Sequence, residues 1–180
     1  TGRTQRLKLV QGVRGGVDTE MDRDEDVVEM GEDVGENGGV VRATQGLIDE
    51  FGSNRVIDTR LAESGIIGTA IGMAAYGLRP VPEMQFLGFT YPGLDQIVSH
   101  AARLRARSRG RFTCPMVVRA PYGGGIRAPE HHSESTEAVF APHPGLKVAI
   151  PSTPYDTKGL LTAAIRDPDP VIFLEPKLIY

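Results

Sequence analysis

Glu63 opens the run Leu61-Ala62-Glu63-Ser64-Gly65-Ile66-Ile67-Gly68-Thr69-Ala70-Ile71-Gly72, a carboxylate at the head of a glycine-studded apolar helix. The helix dipole favours an anion there, but almost nothing after it in the run would keep the group in water. A carboxylate so placed shifts its pKa or takes a polar partner, and a partner that is not protein is a ligand. Glu32 and Asp33 stand in a second Gly-rich turn, where a metal or a cofactor amine can be met. Glu130-His131-His132-Ser133-Glu134 brings two imidazoles and two carboxylates into one segment, suited to acid-base work by one His. Zinc needs more ligands than His100, His143 and the one Cys supply outside that segment. Pro121-Tyr122-Gly123-Gly124-Gly125-Ile126 has the glycines of a phosphate cradle without the Lys-Ser/Thr that should follow. Taken singly, each feature has a plain alternative: a dipole-stabilised carboxylate, a solvated acidic turn, an exposed polar loop.

The elements that must position these groups follow from hydrophobic spacing. Val10, Val13, Val17 and Met21 recur at helical spacing and predict a first helix ending in the acidic run Asp22 to Asp26. Short apolar runs at Val27 to Met30, Arg55 to Asp58, Val81 to Phe86, Met116 to Val118, Lys147 to Ile150 and Val171 to Leu174 predict strands. Pro80 and Pro82 predict a sheet edge or a strand opening for the third of these. Helices are predicted around Leu47 to Phe51, from about Ala62 to Tyr76 with Gly77 as C-cap, from Leu94 to about Arg107, and over Tyr155 to Arg166. Ala120 to Ser135 reads as one long Gly/Pro/His loop, of a length that is usually functional.

Strands that are apolar throughout, alternating with helices, predict an α/β fold: a mostly parallel sheet with helices on both faces. The Glu32 turn, the Glu63 helix start, the Phe86 to Tyr91 segment and the His131 loop then all fall at the carboxyl ends of strands. Gly65, Gly68 and Gly72 with nearby alanines predict a close approach to that helix, either by packing inside one domain or by a second subunit.

Composition narrows the classes. The 180 residues, 40% hydrophobic and 24% charged, fit one domain. A net charge of -3 offers no basic field for nucleic acid. Arg103, Arg105, Arg107, Arg109 and Arg111 read as a solvated face or a protein contact. The single Cys114 excludes an internal disulfide and reads as a small buried residue. No leader and no apolar run near ~18 residues stands out, so no membrane segment is expected and a cytoplasmic setting is. The polar stretch 1–6, which opens without Met, reads as a fragment edge, with the domain over 7–180.

Several ordered motifs together resemble one family. They are Gly31-Glu32-Asp33-Val34-Gly35 with Gly38-Gly39, Asp58-Thr59 leading into Ala62-Glu63-Ser64-Gly65, and Gly77-Leu78-Arg79-Pro80-Val81-Pro82-Glu83. Asp95-Gln96-Ile97, Arg119-Ala120-Pro121-Tyr122-Gly123, His131-His132-Ser133, Pro144-Gly145-Leu146-Lys147-Val148 and Lys158-Gly159-Leu160-Leu161 continue the series. From about Leu7 to Tyr180 the chain resembles the beta subunit of thiamine-diphosphate-dependent 2-oxoacid dehydrogenases, the pyruvate and branched-chain family.

The resemblance implies the pyrimidine-binding module of the thiamine-diphosphate fold. It places Glu63 on the aminopyrimidine nitrogen, where it favours the imino tautomer, Glu32 as a second active-site acid, and Phe89 as the aromatic packed on the pyrimidine. Gln85 and Phe86 line the same wall, and His132 faces the reacting centre and helps proton transfer. It further implies decarboxylation of a 2-oxoacid, acyl transfer to lipoyl on an acyltransferase core, and assembly as two alpha and two beta subunits. A potassium ion on backbone carbonyls maps to Cys114, Met116, Val117, Ala164, Asp167 and Asp169. The family's diphosphate and magnesium motif, which belongs to the alpha subunit, does not occur in this chain, nor does the family's C-terminal domain. An acetoin dehydrogenase beta subunit and a non-catalytic assembly module are the alternative readings.

Overall fold

In the computed structural model, which describes residues 6–180, six strands form one parallel sheet in the order β2-β1-β3-β4-β6-β5. The edge read over 1–6 lies outside the described residues except for Arg6. The strands are β1 (Val27–Gly31), β2 (Val56–Asp58), β3 (Arg79–Glu83), β4 (Val117–Tyr122), β5 (Lys147–Ala149) and β6 (Val171–Pro176). The helices are α1 (Leu9–Arg23), α2 (Leu47–Phe51), α3 (Glu63–Tyr76), α4 (Leu104–Arg107), α5 (Glu137–Phe140) and α6 (Pro154–Arg166).

The strands are apolar on both faces because both faces are covered. Val27, Val81, Val117 and Phe173 pack with Leu9, Val13, Val17 and Met21 of α1 and Leu161 and Ile165 of α6. Met30, Met116, Val118, Ile172 and Leu174, one residue out of step, pack with Ile66, Ile67 and Ala70 of α3. The first helix turns Leu9 to the core, with Val10 at its margin.

A close helix approach inside the domain is found on α1, not on α3, the helix of Gly65, Gly68 and Gly72 for which the sequence predicts it. A Cβ on Gly12 would lie 2.6 Å from the Pro154 carbonyl oxygen, and one on Gly16 would lie 3.1 Å from Leu161 Cδ2. One turn on, Arg166 of α6 grips the buried Glu20 of α1 at 2.7 Å. On α3, a Cβ on Gly72 would meet open space, and one on Gly65 only the methyl of Ala62. Packing inside the domain therefore does not account for those two glycines. The near backbone there is Gly93, where a Cβ would lie 3.1 Å from Ile67 Cγ1.

Two predicted elements differ. Strand β3 is interior, between β1 and β4, despite Pro80 and Pro82. Arg79 N–H donates to Asp26 of the segment entering β1 (2.8 Å), whereas Met84 N–H donates to Arg119 of β4 (2.8 Å). The even-numbered residues of β3 thus face β4, and the two prolines fall where that ladder has not yet begun, since β3 and β4 pair only at Glu83 and Arg119. The helix predicted over Leu94 to Arg107 is broken into a π segment at Gln96–His100, a 3-10 turn at Ala101–Arg103 and the short α4. Apolar spacing recorded the face that is buried, not the pitch that delivers it.

The long loop is also shorter than expected, because β4 runs to Tyr122 before the chain leaves the sheet. Among the described residues no helix is long and apolar enough to cross a membrane.

Candidate active site

The carboxyl ends of β1, β2, β3 and β4 carry, in order, the Glu32 turn, the Glu63 helix start, the Phe86–Phe89 segment and the His131–His132 loop. The Glu32 turn is braced from β2. Asp58 accepts the Gly35 N–H at 2.7 Å and the Glu36 N–H at 3.3 Å, and Thr59 N–H donates to Gly31 at 2.8 Å. Asp33 holds a left-handed φ of 59° and its carbonyl accepts from Gly39 N–H at 2.7 Å.

Glu63 is the first residue of α3, half-buried, beside exposed Ser64 and Gly65. Partial burial, and then the negative charges of Glu63 and Asp33, hold the Glu32 carboxyl above its ordinary value. The charge of one acid that the sequence singled out thus bears on the carboxyl of the other. Gln85 joins the same group, its Nε2 lying 3.4 Å from Asp33 Oδ2.

The aromatic half is built on β3 and β4. The 3-10 segment Leu87–Gly93 follows β3 and presents Phe89, and the rings of Phe86 and Phe89 stand 6.1 Å apart, edge to face. His132 packs 4.8 Å from Phe86 and 5.1 Å from Phe89, with Nδ1 3.1 Å from the Glu130 carbonyl oxygen. His131 faces Phe89 and Tyr91 more distantly, each at 6.2 Å, and carries a left-handed φ of 72° that loop contacts must hold. Glu134 accepts from the Tyr91 hydroxyl at 3.1 Å.

One contact sets the depth of this loop. A Cβ on Gly88 would lie 2.4 Å from the His131 carbonyl oxygen and 2.8 Å from its Cα. Gly88→Ala is expected to push the His131–His132 segment off the phenylalanines and to cost about 1–3 kcal/mol. Urea unfolding of the full-length chain and one-dimensional NMR of its imidazoles check this; an unchanged midpoint with unchanged ring shifts would refute it.

The sequence reading missed a buried charge cluster beneath this edge. Arg119 of β4 is fully buried and bonds Glu29 of β1 (2.6 Å), Glu83 of β3 (3.1 Å) and Glu175 of β6 (2.8 Å). The Tyr180 hydroxyl closes the group by donating to Glu175. Burial above all pushes Glu29 up to about 8 and Glu83 up to about 7. The available signal was a single charge inside or at the carboxyl end of each of four apolar strand runs.

The segments to which a potassium ion maps lie at the opposite, amino ends of β4 and β6. Cys114 N–H donates to the Pro168 carbonyl at 3.1 Å, so the two segments meet. The carbonyls of Cys114, Met116 and Ala164 already accept from Met116 (2.8 Å), Val171 (2.9 Å) and Asp167 (3.1 Å), which leaves each a second lone pair. The carboxylates of Asp167 and Asp169 are taken by Lys147 (2.6 Å) and Arg105 (2.6 Å). Cys114 is buried, and burial pushes its thiol up to about 12. Arg103, Arg107, Arg109 and Arg111 are exposed, as a solvated face requires.

Comparison with known proteins converges on one description. The family model described as "Transketolase, pyrimidine binding domain" matches residues 6–180. The pyruvate dehydrogenase E1 component subunit beta of Acholeplasma laidlawii is 58% identical over 174 residues, covering 97% of this chain and 53% of that protein. The 2-oxoisovalerate dehydrogenase subunit beta of Bacillus subtilis is 53% identical over 174 residues, again covering 97% of this chain and 53% of that one. The chain thus spans about half the length of these curated relatives. A solved structure titled "Split gene transketolase, inactive beta4 tetramer" shares the fold, with a TM-score of 0.76 at 14% identity over 96% of this chain and 52% of that one.

Proposed function

The chain belongs to the transketolase pyrimidine-binding domain family, and from that premise we propose that it forms the pyrimidine-binding half of an active site in a 2-oxoacid dehydrogenase. The observation that carries this reading is identity above one half, along 97% of the chain, with beta subunits named for pyruvate and for 2-oxoisovalerate. The substrate class is therefore a 2-oxoacid.

Thiamine diphosphate, when bound, supplies the carbon nucleophile and the electron sink for decarboxylation. The residue types here suit its pyrimidine end: an acid pair, and at neighbouring strand ends an aromatic wall with a half-buried imidazole. Glu63 holds a proton at the pyrimidine nitrogen, and Glu32 is the second acid of the pair. With the cofactor bound, Phe89 would pack on the ring, Gln85 and Phe86 would line the wall, and His132 would serve as the proton-transfer group for acyl transfer to lipoyl. Magnesium and the diphosphate belong to an alpha subunit, in an assembly of two alpha and two beta chains that docks on the lipoyl acyltransferase core. The open glycine face of α3 is a subunit contact in this reading. Potassium, where it binds, draws on the carbonyls around Cys114 and Asp167, remote from the reacting centre.

Calorimetry tests the shared site. Titration of thiamine diphosphate with magnesium into the full-length beta chain mixed with its alpha subunit is expected to give heat, and into either chain alone none. Heat with the alpha chain alone equal to that of the mixture sinks the shared site and leaves an assembly role.

A further inference from the structure

Lys177 follows Glu175-Pro176 at the end of β6, and the register of β4 with β6 sets Pro176 beside Tyr122, the last residue before the loop that carries His132. Its ammonium donates to the His132 carbonyl oxygen across 45 residues of chain. The same nitrogen stands 4.8 Å from the centroid of Phe86, the ring on which the His132 imidazole packs. Of the loop between, 124–127 and 129–131 are exposed and Arg127 and His131 adopt left-handed φ. Its other holds are the Gly88 backbone against His131, the Tyr91 hydroxyl on Glu134 and Gly123 N–H on the Glu134 carbonyl, none of which reaches the His132 carbonyl.

We propose that Lys177 is the positioning residue of this site, tethering the His132 backbone to the rigid end of the sheet so that the imidazole stays against Phe86 and Phe89. The inference rests on the functional reading above, because it assigns His132 a task that needs a fixed ring. The physical reason is the pairing of two contacts on one ammonium. A charged donor on a carbonyl fixes the loop backbone, and the cation over Phe86 fixes the ring that His132 leans on. Burial also lowers the Lys177 pKa, which marks an ammonium that has given up part of its water for these contacts.

The test uses the full-length beta chain assembled with its alpha subunit. Lys177→Met keeps the length and the contact with Phe86 but has no donor; Lys177→Arg keeps charge and donor. Lys177→Met is expected to lower acyl transfer to a lipoyl domain about tenfold or more, a loss in the range for a misplaced catalytic group. Decarboxylation read with an artificial oxidant, and thiamine diphosphate affinity, should stay within about threefold, and Lys177→Arg should recover most of the loss. Amide exchange over 123–136 should quicken in Lys177→Met and not in Lys177→Arg.

Acyl transfer within about twofold of the unaltered enzyme overturns the proposal, as does an equal fall in decarboxylation and cofactor affinity. If the unaltered assembly decarboxylates no 2-oxoacid, the functional reading fails by itself. Exchange over 123–136 then still decides the tether, unchanged exchange in Lys177→Met being the result that removes it.

Discussion

On the proposed function, Glu63→Gln in the full-length chain assembled with an alpha subunit is expected to cut 2-oxoacid decarboxylation by about 100-fold or more while thiamine diphosphate still binds. The amide matches the carboxylate in size and still offers an oxygen, so α3 and its contact with Gly93 should persist. What it cannot do is take up and hold an exchangeable proton at the pyrimidine nitrogen. A second readout follows from Glu32. Its carboxyl is raised first by burial and then by the charge of Glu63. Glu63→Gln removes the second cause alone, so any limb of the pH-rate profile that belongs to Glu32 should move to lower pH. Turnover within a few-fold of the unaltered enzyme, with an unmoved profile, would falsify the role.

Arg119→Met should be the most damaging change away from the reacting groups. One guanidinium serves three buried glutamates from β1, β3 and β6, and among the described residues it is the one cation bonded to them. Removing it leaves carboxylates buried without a counter-charge, at a cost of about 3–5 kcal/mol at pH 8. The cost should shrink at pH 5.5, where the carboxyls take up protons and the missing cation matters less.

The parent cluster titrates in the same sense. Glu29 at about 8 and Glu83 at about 7 lie above the ordinary 4.5, so the native state holds protons that the unfolded chain has released. Their contribution to stability is full below 4.5 and is lost as pH rises through those values. Each adds a slope of at most about 1.4 kcal/mol per pH unit between its two values. Urea unfolding of the full-length chain at pH 5.5 and 8, for the parent, Arg119→Met and Glu29→Gln, reads both effects. Glu29→Gln should flatten the slope. A cost below about 1 kcal/mol for Arg119→Met at both pH values would remove the cluster from any role in stability.

Much of the fold was legible because it is written in local spacing. Helix α3 begins at Glu63 and ends on Gly77 in a left-handed φ of 114°, and α2 spans the Leu47 to Phe51 expected of it. The uninterrupted apolar runs implied a parallel sheet covered on both faces, and the sheet has that form. Of the two readings offered by Pro80 and Pro82, the sheet edge fails and the strand opening holds, because a missing donor matters only on the side where a ladder exists, and the β4 ladder starts after them. The helix after Leu94 misled because burial of Leu94, Ile97 and Ala101 is compatible with more than one pitch.

The candidate site divides the same way. Glu32, Glu63 and the His131-His132 pair stood out as residue types in turns and loops, since a carboxylate among glycines or paired histidines stand out against their own neighbours, whereas Phe89 entered only through the family resemblance. Their mutual placement was not visible, and neither was the support beneath them. Arg119 meets partners 36, 56 and 90 residues away, and Lys177 meets His132 across 45. By itself the sequence determined the strands, the helices α1, α2, α3 and α6 and the chemical character of each loop, because those depend on residues within a turn or two, but not the broken pitch after Leu94 or the short α5. Only the tertiary structure decided which loops share an edge and which charges share one buried space, because the order β2-β1-β3-β4-β6-β5 is set by packing between distant segments.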